Sequence, residues 1–241
     1  MAMLHVMANL AQRLGFRVSA HGVNHGLRAA AASELDLAES FANTLGVAFS
    51  RTDIQVAPGS NLQARARRQR YEALRERAKE IGADLVATAH HADDRAETVL
   101  MRLLRGAGPR GLGVLSPQNR DLVRPLIRAR KVDILGHISR HCITFSEDPS
   151  NSDTRYLRSR VRHGLLEALA AESPGIVGHL NALADQVFEL ASDEHTGHAA
   201  LRRAHAEELR RLLTSPRDGS EIALSGGWVL KLVRRKVGTS L

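Results

Sequence analysis

Cysteine occurs once in 241 residues, at Cys142. A lone thiol excludes a disulfide framework, a Cys-x-x-Cys redox pair and a thiolate cluster built within the chain, and it suits a reducing cytosol. Aromatic residues are scarce at 3%, so the core must rest on Leu, Val, Ile and Ala. No apolar run approaches the roughly 20 residues of a membrane-spanning helix. The opening, MAMLHVMANLAQRLG, has no basic leader and runs into Gln12 and Arg13, which does not fit a secretory signal. The expectation is a cytoplasmic protein with no membrane partner.

What is abundant is arginine-borne positive charge. Lys and Arg number 34 against 26 Asp and Glu, a formal net charge of +8. Such an excess favours a polyanionic partner such as nucleic acid, although charge alone does not separate that from an arginine-rich composition without a target. The length allows one large α/β domain with a smaller appendage.

Met3, Leu4, Val6, Met7, Leu10 and Leu14 recur at three- and four-residue steps before Gly15, predicting an amphipathic first helix. Phe16–Val23 reads as a strand leaving through Asn24-His25-Gly26, turn chemistry that could also meet a nucleotide together with Arg28. A second helix is expected over Ser33–Leu45, capped by Ser33 and closed by Gly46, and a strand over Val47–Val56. From Leu62 to Ile81 runs a helix with six arginines, Arg65, Arg67, Arg68, Arg70, Arg75 and Arg77. That face is suited to phosphates or to an ion-paired solvent surface. Alternating helices and strands predict a parallel sheet. Leu122–Ile127 is a further strand, placed at an edge by Pro125, and Val132–His141 a helix. The boundary falls in the loop 147–153, giving a nucleotide-type domain over 1–150, a helical domain over 151–215 with Leu180, Leu183, Val187 and Leu190 on one face, and a short β-like tail over 216–241.

The densest chemistry lies in Thr88–Gly111, TAHHADDRAETVLMRLLRGAGPRG. An apolar run, Asp84–Ala89, leads in as a buried strand. Asp94 and Glu97 stand at capping-box spacing and predict a helix start. Ala96, Val99, Leu100 and Leu103 form its apolar face, Arg95, Thr98, Arg102 and Arg105 the opposite one, and Gly106 its stop. Ligands in open α/β sheets bind outside the carboxyl ends of strands. Three readings of this exit stay open on the residues. A divalent metal could use His90, His91, Asp93 and Asp94 with His21 and His25, but adjacent ligands point apart and the stretch has no His-x-His or His-x-x-x-His spacing. The acids could serve only as caps. Or Asp94 and Glu97 could hold a cationic substrate beside a neutral histidine, which does not conflict with capping.

The ordered series NHGLR, ARRQRY, TAHHADDRAETVLMRLLRGAGPRGL, RPLI and EDPSNSDTRYLRSRVRH resembles the tRNA(Ile)-lysidine synthetases of the N-type PP-loop ATP pyrophosphatase superfamily, over residues 1 to 190. The resemblance implies a parallel-sheet nucleotide domain followed by a small mainly helical tRNA-contacting domain. It implies ATP with Mg2+, L-lysine as co-substrate, and an isoleucine tRNA with a CAU anticodon as partner. The implied reaction adenylates the wobble cytidine and then displaces AMP with the lysine ε-amine. Asp94 and Glu97 match the lysine-binding carboxylates, His90 and His91 would line the same pocket, and all four are catalytic candidates. Asn24, His25 and Arg28 fall to ATP. Arg67, Arg70, Arg105, Arg158, Arg160 and Arg162 fall to tRNA or nucleotide phosphates. No metal ligand set is assigned, and any oligomer is expected to be a homodimer. Ser159 stands where the family usually carries Asn.

The family begins with a strand and an SGGxDS loop whose backbone N–H groups hold pyrophosphate, whereas this chain opens on what resembles the following helix. The expectation is therefore a fold lacking its first, central strand, with a break in the sheet and weak ATP hydrolysis and lysidine formation by the chain as written. A start upstream of Met1, a decayed paralogue that binds tRNA, and a strand from another chain would each account for it. A PP-loop tRNA-thiolating enzyme is the alternative; the cytidine-thiolating kind carries CxxC pairs, and the lone Cys142 argues against it.

Overall fold

Helix α1 (Ala2–Leu14) stops where Gly15 takes a left-handed conformation, φ 73°, and donates its N–H to the Ala11 carbonyl. Glycine meets that geometry without the Cβ clash of other residues. The computed structural model describes residues 1–24, 31–57, 59, 62–146, 155–196, 221–224 and 228–231. The chain divides into two compact units, Met1–Asp185 and Gln186–Leu241.

In the first unit, strand β1 (Ser19–Asn24) pairs in parallel with β2 (Ala48–Asp53), Ser19 opposite Ala48 and Asn24 opposite Asp53, and helix α2 (Ala31–Thr44) makes the crossover. Ser33 lies inside α2 and does not cap it, because the helix begins at Ala31. Ala31 and Ala32, of the residue type with the strongest helix preference, carry the start upstream of Ser33. Gly22 lets helix and strand approach: a Cβ there would sit 2.4 Å from Leu35 Cδ2 and 3.1 Å from Phe49 Cζ.

Helix α3 (Leu62–Glu80) returns the chain to β3 (Val86–Ala87), which pairs in parallel with β5 (Leu122–Val123). The strand is shorter than the apolar run 84–89, although Val86 N–H to Asp121 O at 2.7 Å and Thr88 N–H to Val123 O at 3.0 Å continue the pairing at both ends. Strand β4 (Gln118–Asn119) lies antiparallel on the other side of β5, so β5 is central and not an edge. Pro125 follows the strand in a turn, so its missing N–H never falls within the ladder. Among the described residues no ladder joins β1–β2 to the β3–β5–β4 group, which is the expected break in the sheet.

Helix α4 (Ala92–Leu104) follows β3 and ends at Gly106, φ 72°. A 3₁₀ turn, Pro109–Leu112, leads on to the β4–β5 hairpin, and helix α5 (Lys131–Arg140) comes next. Helix α6 (Leu157–Arg160) runs through a π-helical turn, Val161–Leu165, into α7 (Leu166–Glu172). Helix α8 spans Ile176–Thr196. The core of the first unit is aliphatic, as the scarcity of aromatics requires. Ala96, Val99, Ile127, Val161 and Ala184 are each at most 2% exposed, and each buried Val or Ile contributes roughly 1.5–3 kcal/mol. The loop 147–153, expected as a boundary, lies outside the described residues, as does Thr154, while residues 157–185 belong to the first unit.

In the second unit, β6 (Glu221–Leu224) and β7 (Trp228–Lys231) form an antiparallel pair. The expected turn Ser225-Gly226-Gly227 between them lies outside the described residues. Along α8, Leu180 and Val187 are buried, but Leu190 is exposed, so the apolar stripe stops short of it.

Candidate active site

The N-terminus of α4 is fixed from four directions. Ala92 N–H donates to Ala129 O at 2.9 Å, and the buried Asn181 amide on α8 donates to Ala92 O at 2.9 Å. His91 is the N-cap: its Nδ1 accepts from Asp94 N–H at 3.3 Å, while Asp94 Oδ2 accepts from His91 N–H at 3.1 Å. The helix therefore begins three residues earlier than Asp94–Glu97 spacing implied, and the box is His91–Asp94. Asp93 Oδ2 accepts from Lys131 N–H at 2.7 Å at the start of α5, with Arg130 beside it at 3.3 Å. Carboxylates at a helix start also complement its positive end.

Glu97 is thereby released from capping and is 1% exposed. It meets two guanidiniums from the π-bulged helix. Arg162 Nε donates to Glu97 Oε1 at 2.6 Å and Arg158 Nε to Oε2 at 2.7 Å, while Arg158 Nη2 reaches Asp94 Oδ1 at 2.7 Å. Arg162 Nη2 lies 3.6 Å from the same Asp94 oxygen. Arg158 and Arg162 stand four residues apart and so share a helix face. The Leu166 N–H bond to Val161 O, five residues back, widens that turn, and such bulges gather at functional sites. The Glu97 hydrogen bond, followed by the charges of Glu97, Asp94 and Asp93, raises the Arg162 pKa above its usual value against the opposing effect of burial. Two anions and two cations thus form a neutral, half-buried quartet at the strand exit.

His90 stands beside it, Nδ1 3.0 Å from Thr88 Oγ1. Burial, reinforced by Arg67, Arg124 and Arg158 and opposed by Asp94, depresses its pKa from 6.5 to about 4. At neutral pH it is an uncharged hydrogen-bonding group and a poor acceptor for an ammonium proton.

On α3 the basic face is mixed. Arg75 pairs with Asp121 at 2.7 Å, Arg68 with Glu72 at 3.6 Å and Arg77 with Glu80 at 3.0 Å. Arg67 and Arg70 instead approach the Tyr71 ring, 5.3 and 5.7 Å from its centroid. A cavity of about 380 Å³ opens there, lined by Arg67, Arg68, Tyr71, Arg75 and Arg124 among others. A second cavity of about 350 Å³ is bounded by His91, Ala89, Met3, Leu37, Ile134 and Ile138.

The fold thus brings together His90, His91, Asp94, Glu97, Arg158 and Arg162. Arg160, expected with the phosphate contacts, is exposed with Nη1 on Arg155 O at 2.9 Å, and Arg105 is the exposed C-cap of α4. Asn24 donates to Asp53 Oδ1 at 2.8 Å; His25 and Arg28 lie outside the described residues. His21, considered with the metal reading, has its Nδ1 2.8 Å from Ser50 Oγ. Arg95, assigned to the solvent face of α4, is fully buried: Nε donates to Val114 O at 2.9 Å and Nη1 to Asp185 Oδ1 at 2.7 Å. Leu103, assigned to the core, is exposed. Because α4 packs along more than one side, a single apolar stripe does not describe it. Periodicity also gave no hint of Arg124, which is buried with Nη1 on Ser116 O at 2.7 Å; the only signal was its place in RPLI.

Residues 1–169 match the PP-loop domain family. The tRNA(Ile)-lysidine synthase of Pseudomonas syringae pv. tomato is 36% identical over 204 residues, 80% of this chain and 45% of the relative. The enzyme of that name from Nitratidesulfovibrio vulgaris is 35% identical, covering 76% and 54%, and that of Burkholderia mallei 40% identical, covering 72% and 37%. The chain spans about half the length of such curated relatives. Among solved structures, the U34-tRNA thiolase NcsA of Methanococcus maripaludis, with its 4Fe–4S cluster, superposes with a TM-score of 0.68 at 17% identity, over 78% of this chain and 67% of that one. That likeness speaks for the fold. With residues 1–169 matched and the strand-exit site assembled on parallel strands, the chain belongs to the PP-loop domain family, and the curated relatives it resembles are tRNA(Ile)-lysidine synthases.

Proposed function

We propose that this chain carries the lysine-selecting and tRNA-facing part of an ATP-dependent tRNA(Ile)-lysidine synthase. In that reaction ATP activates O2 of the wobble cytidine with loss of pyrophosphate, after which the lysine ε-amine forms the bond to C2 and AMP departs. The observation that carries the reading is the pair Asp94 and Glu97, held one helical turn apart at a strand exit and bridged by Arg158.

Arg158 and Arg162 fill the anionic site before substrate arrives. Arg158 is the more exposed of the two and touches one oxygen of each carboxylate, so it is the guanidinium that can leave. A phosphate drawing it outward would open Asp94 Oδ1, and one side of Glu97 Oε2, to a lysine ammonium, while Arg162 still holds Glu97 through both carboxylate oxygens. One cation then replaces another and the buried charge stays balanced, which avoids the cost of an unpaired buried ion. Arg67 and Arg70 flank Tyr71 in an arrangement suited to phosphates beside a stacked base. Asp93 is held by Lys131 N–H and Arg130, and Mg2+ is assigned to the nucleotide phosphates.

The test is incorporation of labelled lysine into a CAU-anticodon tRNA(Ile) transcript by the purified protein with ATP. Asp94→Asn should lower incorporation at least a hundredfold while leaving tRNA retention on filters within about twofold, as expected for loss of a charged substrate contact. Incorporation unaffected by Asp94→Asn would refute the lysine site. Retention of tRNA with neither incorporation nor binding of labelled lysine by the parent chain would assign it to tRNA binding alone.

A further inference from the structure

Away from the strand exit, helices α1 and α5 meet across three imidazoles. His5 comes from α1; His137 and His141 come from the last turn of α5 and its C-cap, four residues apart and so on one face. His5 Nδ1 lies 3.0 Å from His137 Nε2. The His5 and His141 ring centroids are 4.6 Å apart, and those of His137 and His141 4.5 Å. One nitrogen from each ring falls within 4.8 Å of the others. His5 also stacks on Phe41, and the Asn9 amide nitrogen lies 3.3 Å from its Nε2.

We infer that His5, His137 and His141 form a transition-metal site, best matched to Zn2+, that clips α1 to α5. Imidazole nitrogens sharing a tetrahedral ion at 2.0–2.1 Å stand about 3.3 Å apart. The His5–His137 pair is already near that spacing, and His141, exposed and at the end of its helix, closes the set by turning its side chain. Two histidines four apart on one helix plus a third from a packed neighbour is the arrangement by which helices supply three nitrogen ligands. Without an ion, one N–H serves the His5–His137 contact, and among the described residues the His141 ring meets the other two by ring packing. All-nitrogen ligation favours a borderline ion such as Zn2+ over Mg2+ or Ca2+, which prefer oxygen. The exposed side leaves a coordination position for water.

The clip would bear on the neighbouring site. The cavity that His91 and Ala89 bound also has Met1, Ala2 and Met3 on one wall and Ile134 and Ile138, from α5, on another. A metal joining α1 to α5 fixes those two walls against each other. The residues are distinct from Asp94 and Glu97, so the inference does not depend on the lysine reading.

The experiment uses tag-free protein stripped with chelator and titrated with ZnCl2, followed by calorimetry and thermal melting, with Co2+ as a spectroscopic stand-in. The expected result is saturable uptake near one equivalent, a raised Tm, and visible Co2+ absorption of a low-coordinate nitrogen site. His141→Gln, at an exposed position, should weaken Zn2+ at least tenfold and remove the Co2+ bands, whereas His163→Gln should change neither. His5→Gln should reproduce the loss from the other helix. Equal affinity in the parent protein and His141→Gln, or no saturable uptake up to about 100 μM Zn2+, overturns the assignment.

Discussion

Glu97 shows how much one side chain's role depends on where its helix begins. With α4 starting at Ala92, Asp94 reaches back to the His91 N–H and Glu97 turns inward to Arg158 and Arg162. Glu97→Gln keeps the volume but leaves two guanidiniums without a formal counter-charge. Because both retain some solvent access, the cost should fall near the lower end of the range for broken buried pairs, about 3 kcal/mol in urea denaturation; a loss below about 1 kcal/mol would mean the arginines swing freely into water. His90 makes a pH prediction. Its folded pKa, about 4, lies below the ordinary 6.5, chiefly through burial, with Arg67, Arg124, Arg158 and Asp94 as the charged groups facing it. The unfolded chain then binds the extra proton first, so stability falls as pH drops from about 6.5 towards 4 and is fully present above 6.5. Allowing for partial solvent access, the contribution is on the order of 1–2 kcal/mol. Stability-versus-pH curves of the parent and His90→Asn should diverge in that window and run parallel above it.

At the scale of elements, α4 is held by a buried cation as well as by its apolar stripe. Arg95 ties it to Val114 O and to Asp185 on α8, an acid that also accepts from Arg128. Arg95→Lys keeps the charge but cannot make both bonds, since an ammonium lacks the planar fork. It should destabilise the fold by about 2–3 kcal/mol, and a midpoint in denaturant within error of the parent would show that this anchor is dispensable. Where α2 crosses β1, Gly22 is the constraint. Gly22→Ala pushes a methyl into Leu35, whose side-chain tip can move, so the expected loss is about 1 kcal/mol. Combining it with Leu35→Ala should give a smaller total loss than the two single losses added together. The short β3 and β5 were legible as apolar runs. Their lengths were not, because a strand ends where its neighbour ends and single-chain patterns do not encode that neighbour.

At the scale of the whole molecule, the excess of basic residues has a specific spatial form. Several arginines of α3 are spent on acids of the chain, whereas Arg67 and Arg70 are arranged about Tyr71. If these two contact phosphates, tRNA affinity should fall linearly in log–log form with salt, and the double variant Arg67→Ala/Arg70→Ala should reduce the slope by about 1.5–2. A slope unchanged by the double variant would move the nucleic-acid surface elsewhere.

Composition alone determined that the core is aliphatic, that the chain has no internal disulfide chemistry and that its charge favours an anion. Local pattern determined the alternation of helices and parallel strands, the glycine stops at Gly15, Gly46 and Gly106, and the cluster of histidines and acids after β3. These follow from short-range sterics and burial, which neighbouring residues control. Packing in three dimensions sets the rest: His91 and not Glu97 partners Asp94, Arg95 is inside and Leu103 outside, and Arg158 and Arg162 come from more than 60 residues away to neutralise the carboxylates. It also set His5 against His137 and His141, a grouping split across 132 residues of sequence. Pairings at such separations depend on which faces of packed helices meet, and periodicity along one helix carries no record of the face it will find.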